Sequence, residues 1–188
     1  LPHAFIDALY MPIARDIVRS REQAARCVVI GIAGPQGTGK SSMAVLLKAL
    51  LTRHFGLRTT LVALDDYYLS KAQRGTLVRT VHPLLATRGV PGTHAIELLR
   101  AAIAGLRVAG AGQTVELLQF SKAQDERTAG RIETGPFDVV LFEGWCIGAR
   151  PQSEAQLREP INELERVSDV DADFRHYVNA QLAQRYVP

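Results

Sequence analysis

The sequence is short of cysteine, of tryptophan and of long apolar runs. Among 188 residues there are two cysteines, Cys27 and Cys146, and one tryptophan. Two thiols cannot build a zinc site or a disulfide framework. No apolar run approaches the roughly 18 residues of a membrane-spanning helix. The longest candidate, Ala101 to Leu106, ends at Arg107. The first residues carry Asp7 and no basic stretch followed by an apolar core, so no secretory signal is visible. With few cysteines, this points to a reducing, cytoplasmic setting without a membrane partner. Blocks of like charge are also missing. Twenty-two basic against 19 acidic residues leave a net charge of +3. That balance suits an anionic small molecule better than a nucleic acid. What the chain does have is 47% hydrophobic and 22% charged residues, enough for a real core and against whole-chain disorder.

The length fits one domain over 1–188. Within it the pattern suggests an N-terminal helical segment (1–25), a central core (26–150) and a helical tail (151–188). Residues 2–25 read as helix interrupted near Pro12. Cys27 to Ala33 is an unbroken apolar, β-branched run, the pattern of a parallel strand buried on both faces. A glycine-rich turn follows. The helix after it, about 39–55, places Met43, Leu46, Leu47, Leu50 and Leu51 on one face. Thr59 to Leu64 is a second strand. Residues 71–92, with Pro83, Gly89, Pro91 and Gly92, read as loop. Thr93 is the expected N-cap of a helix carrying Ile96, Leu99, Ile103 and Leu106. Thr114 to Phe120 and Asp138 to Phe142 are expected as third and fourth strands. Strands alternating with helices define an α/β fold, a mostly parallel sheet flanked by helices. Cys27 and Cys146 then fall at opposite strand ends, roughly 20 Å apart, and no disulfide is expected.

Ligands of such sheets bind beyond the carboxyl ends of the strands. Three of these strands end in chemically loaded residues. The first runs into Gly34-Pro35-Gln36-Gly37-Thr38-Gly39-Lys40-Ser41, a full match to G-x-x-x-x-G-K-[ST]. Glycines let backbone N–H groups turn inward to form an anion nest, and the next helix aims its positive end at the same spot. Gly34, Gln36, Gly37, Thr38, Gly39, Lys40, Ser41 and Ser42 are therefore the nucleotide-binding candidates. Lys40 serves the β- and γ-phosphates, and Ser41 offers a hydroxyl to Mg²⁺. A dinucleotide site is disfavoured because the position of its third glycine is Ser42. No Asn-Lys-x-Asp segment is present to read guanine, so ATP is the expected nucleotide.

The second strand ends at Asp65-Asp66 and the fourth at Glu143. Glu143 is placed to organise Mg²⁺ or its water alongside Ser41. An acceptor hydroxyl needs a base in line with the γ-phosphate. One of the two aspartates is expected in that role and the other as a cap or substrate ligand. Distance from the strand end, and the resemblance that follows, favour Asp65 as base and leave Asp66 to the substrate. Tyr67 and Tyr68 divide between a substrate-facing and a core role, with Tyr67 taken as the substrate-facing one.

Lys40 to Ser42, Leu64 to Tyr68 (LDDYY) and Leu141 to Trp145 (LFEGW) resemble the P-loop small-molecule kinases, among them uridine kinase, phosphoribulokinase and pantothenate kinase. Within that group the chain is most similar to the D-glycerate 3-kinase family. The resemblance rests on GPQGTGK (34–40), HPLLATRGVPGTH (82–94), FEGWCIG (142–148), EPINEL (159–164) and YVNAQL (177–182). It implies ATP and Mg²⁺ as co-substrate and cofactor, and glycerate or a similar small molecule as acceptor. It also implies that His82, Arg88 and His94 hold an acidic acceptor, for which an arginine fork is well suited. The family's Pro-Arg-aromatic-Asp-Lys stretch reads Leu118-Gln119-Phe120-Ser121-Lys122 here. Lys122 is kept as a substrate-binding candidate while two charges are replaced by Gln119 and Ser121. Measured against the family, the C-terminal strand and lid segment are absent. Other alcohols of the same fold class, or nucleotide binding without catalysis, are the competing readings.

Overall fold

A computed structural model describes residues 3–186; Pro2, at the start of the expected N-terminal helix, and Pro188, at the end of the expected tail, lie outside the described residues. In chain order the elements are α1 (His3–Phe5), a π-helical stretch Ile6–Tyr10, α2 (Met11–Ala24), β1 (Val28–Ala33), α3 (Lys40–Arg53), β2 (Thr59–Ala63), α4 (Lys71–Thr80), α5 (Ile96–Val108), β3 (Thr114–Ser121), β4 (Glu126–Thr134), β5 (Val139–Gly144), α6 (Glu154–Leu157), α7 (Glu163–Ser168) and α8 (Asp173–Gln181). They fall into two compact units. The first holds residues 1–64, 98–117 and 130–147, and the second holds 65–97, 118–129 and 148–188.

The first unit is organised by β5. This strand is apolar at nearly every position and pairs in parallel with β1 on one side and β2 on the other. Parallel pairing sends all three carboxyl ends to one edge, with Glu143 opposite Ile32 of β1 and Ala63 of β2. Ala14 and Ile17 of α2 and Ala44, Leu47 and Leu51 of α3 pack with Ile32, Val139 and Leu141 into one core. Burying a leucine such as Leu47 or Leu51 contributes roughly 2 kcal/mol. The opposite end of β5 is held by Asp138. Its carboxylate accepts from the Arg58 backbone N–H at 2.9 Å, from Arg58 Nε at 3.1 Å and from Arg21 Nη2 at 3.1 Å. Burial alone would raise this carboxyl, but the two arginines hold it below the ordinary carboxylate range.

Two sequence expectations for this part need correction. β1 is only partly buried, because among the described residues it is an edge strand, paired on one side by β5. The third expected strand, β3, is absent from the parallel sheet and pairs with β4. A connection of four residues allows only an antiparallel hairpin. No sequence expectation covered β4. Cys27 and Cys146 are both buried, and neither is in a disulfide.

The second unit begins at Asp65. Here α4 replaces the expected loop. Its KAQRGTLVRT segment has no apolar face to read, but Ser70 and Gln73 form a capping box, with Gln73 N–H donating to Ser70 Oγ at 3.2 Å and Ser70 N–H to Gln73 Oε1 at 3.0 Å. Arg74, 1% exposed, anchors that helix. It donates to the carbonyls of Ala86 and Leu69 and to the carboxylate of Asp125 at the hairpin tip. Thr93 is not an N-cap. It is fully buried, accepting from Gly89 N–H and donating to the Val90 carbonyl, so it staples its own turn. In the tail, Asp169 accepts from the backbone N–H groups of Phe174 and Arg175, fixing the start of α8. No helix among the described residues is long and apolar enough to cross a membrane.

Asp138→Ala removes the shared partner of Arg21 and Arg58 and the acceptor of the Arg58 N–H, so it is expected to lower unfolding stability at pH 7 by about 1–3 kcal/mol, read as a shifted urea midpoint. A carboxyl depressed in the folded state stabilises above its unfolded pKa and loses that contribution as pH falls. The gap between wild type and variant therefore closes toward pH 2.

Candidate active site

Candidate residues gather in two clusters, each described within its own unit. In the first, β1 delivers the backbone into the loop Gly34–Gly39, and α3 starts at Lys40. Gly37 and Gly39 adopt φ of +79° and +86°, which only glycine takes without strain. A Cβ built on either would meet nothing within 4 Å. The constraint there is therefore conformational, and the space beside the loop is open. The Pro35 carbonyl closes the loop, accepting from Thr38 Oγ1 at 2.7 Å and from Lys40 Nζ at 2.9 Å. Ser41, in the first turn of α3, donates from Oγ to Glu143 Oε1 at 2.9 Å. That single contact joins the phosphate loop to the end of β5. Gln36 and Ser42 are exposed on either side.

A hydroxyl and a carboxylate 2.9 Å apart are the donor types that magnesium takes. Among the described residues no group of three or more His, Cys, Asp or Glu side chains could hold a metal. Ser41 and Glu143 are the pair that could contribute to holding one.

The second cluster surrounds Asp65, the residue after Leu64 at the end of β2. Lys122 Nζ donates to Asp65 Oδ2 at 2.6 Å and Tyr68 Oη to Asp65 Oδ1 at 2.8 Å. Partial burial alone would raise the carboxyl, but these two bonds and the lysine charge bring it below its usual range. Asp65 is therefore an anion at neutral pH, able only to accept. Asp66 accepts from the Phe120 backbone N–H at 3.3 Å. Tyr67 is 1% exposed, so its ring belongs to the core. His94 is 3% exposed and stacks on Tyr68, with ring centres 4.7 Å apart. Burial pushes it down to about 4, the charge of Asp65 opposing this, so it is neutral at pH 7. Arg88 lies 5.5 Å from the Phe120 ring centre and 5.9 Å from that of Tyr68. Its Nη1 donates to Asp125 Oδ1 at 2.6 Å.

Asp65, Tyr68, His94, Lys122 and Arg88 are thus brought together, whereas His82 stands apart. Its Nδ1 accepts from the Leu84 N–H at 3.2 Å, capping a turn, and its ring packs on Phe174. Sequence reasoning did not find Asp125. It sits at φ +53° on the tip of an unforeseen hairpin, and its one available signal was an acidic residue between two turn residues and a strand.

No protein-family model matches the chain. Individual proteins do. The chain is 31% identical over 142 residues to an uncharacterized kinase, mug58, of Schizosaccharomyces pombe, spanning 70% of this chain and 50% of that one. It is 32% identical over 165 residues to a uridine kinase of Shewanella pealeana, spanning 85% and 71%. The solved D-glycerate 3-kinase of Cryptococcus neoformans superposes with a TM-score of 0.79 at 29% identity, covering 93% of this chain and 67% of that one. The chain spans half or less of the length of several curated relatives. Fold and phosphate loop together define a protein of the P-loop kinase class. More narrowly, the chain belongs to the P-loop small-molecule kinases that include D-glycerate 3-kinases and uridine kinases.

Lys122→Met removes the cation that opposes desolvation of Asp65. The Asp65 carboxyl is expected to titrate at higher pH in the variant, followed by carboxyl-detected NMR. An unchanged midpoint would mean that Tyr68 alone sets its charge.

Proposed function

We propose that the chain transfers the γ-phosphoryl group of ATP to a hydroxyl of a small acceptor, with glycerate as acceptor and a phosphoglycerate as product. The observation that carries this is the Asp65 carboxylate. It is ionised, held by Lys122 and Tyr68, and attached directly to a strand of the phosphate-loop sheet. In this reading the acceptor hydroxyl gives its proton to Asp65 as its oxygen bonds to the γ-phosphorus, and the bond from that phosphorus to ADP breaks. The loop amides and Lys40 hold the β- and γ-phosphates, so Lys40 leaves the Pro35 carbonyl when nucleotide binds. Ser41 and Glu143 would hold magnesium, which neutralises phosphate charge when bound. Buried cysteines outside any disulfide, Cys27 and Cys146, fit a cytoplasmic setting.

Glycerate as the acceptor is supported by the cations Arg88 and Lys122 near Asp65 and by similarity to a solved D-glycerate 3-kinase. A neutral alcohol such as a nucleoside is a second reading. It is favoured by the engagement of Arg88 with Asp125 and by the uncharged Gln119 and Ser121.

An ADP-release assay with D-glycerate, uridine, ribulose 5-phosphate and pantothenate separates these readings. Turnover with D-glycerate is expected, and turnover with uridine alone would replace it. Asp65→Asn is expected to reduce kcat by about 10²–10⁴ while ATP binding stays within about twofold. Wild-type turnover in that variant would remove Asp65 from the role of base. Lys40→Ala is expected to weaken ATP binding whichever acceptor is used, by calorimetry, even if the chain proves to bind nucleotide without catalysis.

A further inference from the structure

Arg88 lies between the Pro83–Ala86 turn and α5, and its guanidinium is held by contacts within the second unit. Its Cζ stands 5.5 Å from the Phe120 ring centre and 5.9 Å from that of Tyr68. Its Nη2 donates to the Lys122 carbonyl at 3.3 Å, and its Nη1 to Asp125 Oδ1 at 2.6 Å. Tyr68 and Lys122 are also the two residues that donate to the Asp65 carboxylate. Arg88 is thereby packed against the groups that hold the proposed base.

The other end of this arrangement is buried. Asp125 lies between β3 and β4, and its second oxygen, Oδ2, accepts from Arg74 Nη2. Arg74 is itself fixed by the carbonyls of Ala86 and Leu69. One carboxylate oxygen therefore sits on an anchored arginine and the other on Arg88. A carboxylate is the group that can do this, since it offers two acceptor oxygens and no donor. An amide offers one oxygen and would turn an NH₂ group toward the other guanidinium. The backbone selects for the same residue. Asp125 has φ +53°, in the left-handed region that Asp and Asn enter more readily than longer side chains. A guanidinium carries several N–H donors, and Asp125 and the Lys122 carbonyl take one each. Arg88 can thus be held by protein and still grip a ligand carboxylate.

We propose that Asp125 is a positioning residue for an acidic acceptor: as a bridge from the buried Arg74, it holds the Arg88 guanidinium against Tyr68 and Phe120, ready for the acceptor carboxylate. The proposal deepens the kinase reading above and rests on it for the identity of the ligand. The bridge itself does not depend on that reading. Asp125 acts through Arg88 and touches no reacting group.

Asp125→Asn suits the same backbone conformation while removing the charge and one acceptor oxygen. In the ADP-release assay it is expected to raise the KM for D-glycerate about tenfold, with kcat and the KM for ATP within about threefold. A merely structural role would lower kcat and raise both KM values together, and that result would overturn the proposal. In an Arg88→Met background the same substitution is expected to add less than about twofold to the KM for D-glycerate, since the residue it acts through is gone. A full effect there would overturn the proposal. So would a lower KM for D-glycerate in Asp125→Asn, which would make Asp125 a competitor for Arg88. Nitrogen-15 relaxation at Arg88 Nε reads the positioning without substrate. Its order parameter is expected to fall in Asp125→Asn, and an unaltered value would overturn the bridge. Asp125→Glu keeps the charge beside Arg74 and serves if the Asn variant fails to fold. Its displaced carboxylate is expected to raise the KM for D-glycerate and lower the Arg88 order parameter, and wild-type values of both would overturn the proposal. Turnover with uridine alone would overturn the acceptor assignment and leave Asp125 a structural bridge. Should the wild type release no ADP with any acceptor, the kinase reading fails, and the relaxation data still decide whether Asp125 holds Arg88.

Discussion

The parallel pairing of β5 between β1 and β2 is the constraint on which the rest of the first unit depends. It sets the register that puts Glu143 at the sheet edge where β1 gives way to the phosphate loop. The Ser41–Glu143 bond is a consequence of that register. A slip of one residue would turn Glu143 to the other face and break the contact. The far end of the strand is held by charge. Asp138 collects Arg58, which precedes β2, and Arg21 of α2, so one carboxylate ties both flanks of the sheet to its central strand. Because Asp138 is buried, removing one side of this latch costs more than breaking a surface ion pair, since it leaves a charge without its partner. The core packed by α2 and α3 then has only one arrangement in which both ends of β5 are satisfied.

In the second unit a buried arginine sits among apolar side chains such as Tyr67, Leu85 and Leu157. Arg74 gathers two carbonyls and Asp125, and Asp125 in turn engages Arg88. Against the desolvation of its carboxyl, the bond from Arg88 and the charge of Arg74 keep Asp125 anionic. Arg74 and Arg88 share Asp125, Lys122 is matched by Asp65, and Asp66 adds a third carboxylate, so these charges balance. An acidic acceptor would have to share Arg88 with the hairpin tip.

How much of this was legible in the sequence follows from where the signal lies. The phosphate loop could be read because its glycines, lysine and serine act through backbone conformation and fixed spacing. Strands β1, β2 and β5 and helix α3 were legible because their apolar patterns are dense. Helix α4 was not, because a capping box and a buried arginine hold it rather than an apolar stripe. The hairpin of β3 and β4 was missed for a related reason. Its second strand is made of residues with low strand propensity, and only pairing reveals it. Of the candidate acceptor residues, His82 caps a turn through the Leu84 N–H, an arrangement that the following Pro83 already allowed.

Asp65 and His94 show why the acceptor cluster has to be read as a unit. Both are partly or wholly removed from water, which opposes charge on each. For Asp65, Lys122 and Tyr68 outweigh that penalty and the carboxylate stays ionised. For His94 the only opposing influence is the charge of Asp65, too weak to keep a proton on the ring, and the imidazole stays neutral. The two groups are thereby pushed apart into distinct states at one pH, an acceptor-only carboxylate and a neutral ring.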